Sequence, residues 1–202
     1  MKYPNNYTRP YLTEKNVKAF HKYMAAKFKA EIVNKDDKVS MEIIDWALGL
    51  MGVMDKGEFL KRYAITIGDR IYIPYEIGKG TMAQKVGQII LICHEMTHVI
   101  QGELDHAMKL KYLMSKSRRA HMESEAMHCN LEMYYWYYQK NLPVSALVKA
   151  LEAYSLRDED IAVAQTHLKV YSMITSRGVV ASPVSKAAIA WWGNRYQNDS
   201  TN

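Results

Sequence analysis

The sequence predicts an α+β fold in which a small sheet or hairpin precedes one buried helix and the C-terminal half is mostly helical. Three observations carry this reading. Residues 63–73 place β-branched and aromatic side chains on both sides of Gly68-Asp69, residues 82–101 are apolar almost all round, and the chain beyond 103 keeps helical character punctuated by Pro143 and Pro183. At 202 residues the chain fits one domain and is long enough to bury a core without disulfides. Within that single domain, 1–202, we expect a helical part over 1–60, the hairpin and the helices after it over 61–140, and a helical part over 141–202.

Val17, Phe20, Met24 and Phe28 recur at three-to-four spacing, which predicts an amphipathic helix over 13–30 with lysines on its other face. NKDDK at 34–38 reads as a loop, and Ser40 as the N-cap of a helix over 41–54 whose last turns Gly49 and Gly52 weaken. Strands follow at 63–67 and 70–73, joined by the Gly68-Asp69 turn. Pro74 lacks a ladder donor, so the second strand ends there or lies at an edge. Thr81 caps the buried helix over 82–101, and Gly102 is expected to end it in the left-handed conformation. Further helices are predicted over 103–115, 118–140, 144–155, 158–176 and 184–196. The aromatic tract 133–138 must face several directions on its helix, so most of it is core, and Trp191-Trp192 reads as an anchor for the last helix.

Composition narrows the function classes. With 49% hydrophobic and 24% charged residues the chain is an ordinary folding sequence rather than a disordered one. A net charge of +6 would admit an acidic partner, yet the basic residues are spread along the chain. The densest run, Lys109, Lys111, Lys116, Arg118 and Arg119, reads as a solvated helix face, so nucleic acid is not an expected partner. Cys93 and Cys129 lie in apolar helical segments and read as free, packed thiols. MKYPNNYTRPYLTEK has no apolar core of a leader, and no run is long enough to span a bilayer; no membrane partner and a cytoplasmic location are expected.

The chemistry sits in HEMTH, residues 94–98. Four apart on a helix, His94 and His98 project from one face about a turn apart, the geometry a tetrahedral zinc requires of two imidazoles. Glu95, one position round, reaches a water rather than the ion and can act as its general base. Three ionisable groups in the most apolar helix of the chain would be costly without a strong partner. Catalytic zinc keeps three protein ligands. The metzincin pattern would need a histidine at 104 and a glycine at 101, where this chain has Leu104 and Gln101, so that class is excluded. The best region for the third ligand is 118–133, which offers Glu123 and Glu125 about 25 residues on.

With Glu123-Ser124-Glu125-Ala126 on that segment, the chain resembles the gluzincin metallopeptidases, in particular the compact ones in which a Glu-x-x-Ala helix follows the HExxH helix. The resemblance covers roughly 63–138. It implies a zincin-like core, one Zn2+ per chain held by His94, His98 and Glu123, and peptide hydrolysis with Glu95 as base. It also implies that residues 70–73 form the edge strand along which a peptide or protein substrate lies. One position departs from the family: many gluzincins carry an aspartate four residues after the ligand glutamate to steady a zinc histidine, and here that position is Met127. The sequence assigns no oxyanion donor among His121, His128, Tyr134 and Tyr135. A zincin-fold binding or assembly protein that keeps the metal is the alternative expectation, against which the intact Glu95 stands. A hydrolase of non-peptide amides, such as those of cell-wall peptide stems, would share the same site.

Overall fold

The Thr13 hydroxyl accepts the Asn16 N–H and opens helix α1, Glu14–Lys27, which buries Val17, Phe20, His21 and Met24 as the apolar spacing requires. The computed structural model describes residues 1–3, 9–35, 63–104 and 112–199. The predicted helix over 41–54, with its Ser40 cap, lies outside them, as do residues 105–111.

Strand β1 spans Glu31–Asn34, β2 spans Ile65–Ile67 and β3 spans Arg70–Ile73. β2 and β3 form the predicted antiparallel hairpin, turning at Gly68 with a φ of +73° that glycine adopts cheaply. β1 was not expected, since residues 31–33 fell between the first helix and the loop. It pairs parallel with β3, matching Glu31 to Arg70 and Asn34 to Ile73, so the sheet order is β1-β3-β2. This overturns the expected edge at 70–73. β3 is the central strand because Ile71, Tyr72 and Ile73 are buried in alternating directions and both of its ladders are used. Among the described residues the edges are β1 and β2.

Alternation sorts the sheet into two faces. Ile32, Ile71 and Ile73 join the main core with α1 and the next helix. Val33, Tyr72 and Ile65 face the other way, into a cluster with Tyr63, Tyr112, Leu113 and Tyr154. Thr66 pairs with Ile71 and therefore belongs to the first face.

Helix α2, Met82–Leu104, begins with a reciprocal cap in which Thr81 and Gln84 bond each other's backbone N–H. The preceding loop is fastened by Gln88, which accepts from Gly78 and donates to Lys79 and Glu76 carbonyls. A β-carbon at Gly78 would stand 2.7 Å from the Glu14 carbonyl oxygen, so no larger residue fits that approach. α2 does not stop at Gly102. It runs through Leu104, and Gly102 keeps helical dihedrals, because one glycine inside a well-packed helix costs only about 1 kcal/mol.

Helix α3, Lys116–Tyr138, is capped by Ser115 and closed by a left-handed Gln139. It lies between two cores: Cys129, Met133, Trp136 and Tyr137 face the first, while Ala120, Met127 and Leu131 face the second. The second core is completed by α4, Val144–Leu151, and α5, Asp158–Ser176, between which Glu152–Tyr154 form a single 3-10 turn. Helix α6, Pro183–Asp199, docks on the main core through Trp192, which packs on Phe20 and Trp136, so Trp191-Trp192 is the anchor the sequence suggested. The buried Glu132 carboxylate accepts the Ala181 and Ser182 N–H groups at the start of α6. The fold class is α+β, and no helix among the described residues is long and apolar enough to cross a membrane.

Candidate metal centre

α2 carries the HEMTH residues where it crosses α3, and the crossing brings the two helices' polar side chains together in an otherwise apolar contact. His94 and His98 turn their Nε2 atoms toward one another at 3.2 Å. Glu123, 1% exposed, places Oε2 3.3 Å from His94 Nε2 and Oε1 3.4 Å from His98 Nε2. A tetrahedral zinc with ligand bonds of about 2.0–2.1 Å separates neighbouring donor atoms by about 3.3 Å. The three pairs therefore stand at the spacing of one face of such a tetrahedron, and these three residues are the metal-capable group among the described residues. Glu125 does not join them. Its carboxylate lies against Gln101 and His121 instead.

The electrostatics favour a cation at this point. Burial disfavours the His98 imidazolium, but the Glu123 carboxylate more than offsets it and raises His98 to about 9. Burial likewise disfavours the Glu123 carboxylate, while His98 and His94 hold it well below the usual range. The buried Glu123 Oε2 makes no well-directed hydrogen bond, which is unusual for a carboxylate oxygen in a protein interior. Two imidazole nitrogens, an orphaned carboxylate oxygen and a demand for positive charge fit a borderline-soft divalent ion. No family model matches the sequence, and no similar protein was found among curated proteins or solved structures.

The surrounding groups hold the triad from several sides. Gln101 Oε1 lies 2.8 Å from His98 Nδ1 and its Nε2 donates to Met122 O and Glu125 Oε2, so a glutamine of α2 braces the His98 ring. The Tyr112 phenol donates to Glu123 Oε1 at 2.6 Å. Tyr154 lies near the same carboxylate, and burial followed by the Glu123 charge pushes its phenol well above its ordinary pKa. Both tyrosines are pinned by Arg119, whose guanidinium donates to the carbonyls of Tyr112, Leu113 and Tyr154. Arg119 is thus buried structure at 2% exposure, which corrects its assignment to a solvated face. Lys116, by contrast, is exposed.

Glu95 is set by the sheet. Thr66, on the α2-facing side of β2, donates its hydroxyl to Glu95 Oε2 at 2.6 Å. Lys35, just past β1, bonds the Tyr63 carbonyl; burial lowers it to about 8 although the Glu95 charge opposes that shift. The four residues considered as oxyanion donors are engaged elsewhere. His128 stacks on Tyr171 at 4.0 Å and faces Glu132, His121 faces Glu125, Tyr135 packs on Tyr3 and Tyr134 on Tyr138. Sequence reading missed Thr66, Gln101, Tyr112 and Tyr154, because each reaches the site through tertiary placement. Gln101 alone offered a signal, lying one turn after His98 on the same helix face.

Proposed function

We propose that the chain is a zinc-dependent peptidase with a zincin-like core of the compact gluzincin type, in which His94, His98 and Glu123 hold the ion. The observation that carries this is the convergence of those three donors beside a buried glutamate that is not one of them. A structural metal site has no use for such a base.

Zinc bound there supplies Lewis acidity, bringing the pKa of a water toward neutrality and polarising the scissile carbonyl. Glu95 Oε2 is held by Thr66, which leaves Oε1 to take the water's proton and return it to the departing amine nitrogen. Tyr154, whose phenol is kept protonated by burial and the Glu123 charge, is the oxyanion donor this reading favours, since it lies beside a proposed ligand. The substrate strand adds to β2 rather than β3, since of the two edges among the described residues β2 is the one that carries Thr66.

The test is direct. Purified protein equilibrated with zinc should hold close to one ion per chain by elemental analysis and should cleave a casein-type substrate until a chelator is added. The Glu95→Gln variant should hold the same zinc and show no cleavage. Absence of bound zinc in the wild type, or hydrolysis by the variant, would overturn the assignment.

A further inference from the structure

Glu125 was the rival candidate for third ligand, and its contacts give it another task. The Gln101 side chain, 5% exposed, has one acceptor atom and one donor atom to place. Its Nε2 stands 3.2 Å from the Met122 carbonyl and 2.9 Å from Glu125 Oε2, both of which only accept. Turning the amide over would set its oxygen against two acceptors, so the orientation is decided. Oε1 must then face His98 Nδ1, at 2.8 Å, and Nδ1 must carry a hydrogen. A neutral His98 with its hydrogen on Nδ1 presents the Nε2 lone pair to the centre defined by His94 and Glu123. The far oxygen of Glu125 is held by His121 Nε2 at 3.3 Å, at the protein surface.

We infer that Glu125 is a positioning residue that fixes the ligating tautomer of His98 by orienting the Gln101 amide between them. The inference rests on the zinc reading for its purpose, but the hydrogen-bond logic stands on the chain alone. It distinguishes oxygen acceptance from charge as the property required at position 125. Glu125→Gln still offers an oxygen to Gln101 and should behave as wild type. Glu125→Ala leaves the amide with one acceptor. Glu125→Lys presents donors, which favours the overturned amide and drives the His98 hydrogen to Nε2, where it blocks the ligand position. Position 125 is 40% exposed at its side chain, so the substitutions do not open the core.

Two measurements test this. Zinc affinity, by competition with a chelating dye, should weaken about 10- to 100-fold in Glu125→Ala, further in Glu125→Lys, and stay within about threefold in Glu125→Gln. Nitrogen-15 histidine spectra should show a slowly exchanging, hydrogen-bonded Nδ1–H on His98 in the wild type and Glu125→Gln. That signal should be lost in Glu125→Lys. It is expected with or without metal, because Nδ1 keeps its hydrogen whether Nε2 is protonated, free or ligating. Wild-type affinity and an unchanged Nδ1–H in Glu125→Lys would overturn the inference, and so would a Glu125→Gln variant as impaired as Glu125→Lys. If the wild type binds no zinc yet shows the Nδ1–H pattern, the metal reading fails and the positioning role survives.

Discussion

Glu123→Gln keeps the size of the side chain and removes the charge that lies 3.3 and 3.4 Å from the two imidazole nitrogens. In the metal-free protein that charge, working against burial, raises His98 from 6.5 to about 9. A shift of this size corresponds to about 3 kcal/mol of preference for the protonated ring. Because the folded value lies above the unfolded one, the stabilisation is fully present below pH 6.5 and is lost as pH rises through 9. Lys35 has the opposite sign, its folded value being depressed to about 8, but it is common to both proteins and cancels in their difference. Urea unfolding of chelator-treated wild type and Glu123→Gln from pH 6.5 to 9.5 should therefore show the wild-type advantage shrinking by about 3 kcal/mol. Saturating zinc should flatten the wild-type curve, since the ion replaces the proton. The glutamine variant should also bind zinc at least about a hundredfold more weakly. Parallel unfolding curves with equal zinc affinity would show that Glu123 does not face the imidazole pair, and the centre as described would be wrong.

Thr66→Val removes the hydroxyl bonded to the Glu95 carboxylate, an interaction worth about 1.5–3 kcal/mol; kcat should fall roughly 10- to 100-fold while zinc affinity stays constant. His21 is buried, its Nδ1 donates to the Val17 carbonyl and its Nε2 faces the Tyr75 hydroxyl, and burial lowers it to about 4. A depressed imidazole is neutral in the fold and must gain a proton on unfolding in acid. Stability should thus drop by up to about 3 kcal/mol as pH falls from 6.5 to 4, and His21→Gln should remove that acid slope in chemical denaturation. Arg119→Met strips donors from three carbonyls and should cost about 3 kcal/mol or more in thermal unfolding, with Arg119→Lys recovering only part.

What the sequence disclosed and what it hid follow from the range of the forces involved. The HEMTH pair and the Glu123 helix were legible because four-residue spacing on one helix, and composition along the next, are local. The hairpin was legible because Gly68 sits between two alternating runs. β1 was not, since EIVN is too short to announce itself and its partner β3 is far along the chain. The same unseen strand turned β3 from an edge into the centre of the sheet. Gly102 misled for a different reason: tertiary packing of α2 outweighed its small local penalty. Arg119 sits inside a basic run that looks solvated, and only the carbonyls gathered from two segments reveal its burial. Tyr112 and Tyr154 meet at Glu123 across a turn of structure no periodicity encodes.

The donors of the centre come from two helices, α2 and α3, about 25 residues apart in the chain. An ion held there is a staple as well as a reagent. It would clamp the crossing of α2 and α3, so the stability of the folded chain would follow the free zinc around it. At a hundred times its dissociation constant such an ion adds about 2.7 kcal/mol to the folded state. On the proposed reading, the chain would be the looser form where zinc is scarce, and a protease meeting it in that condition should cleave it faster than the loaded form, as limited proteolysis with and without zinc would show.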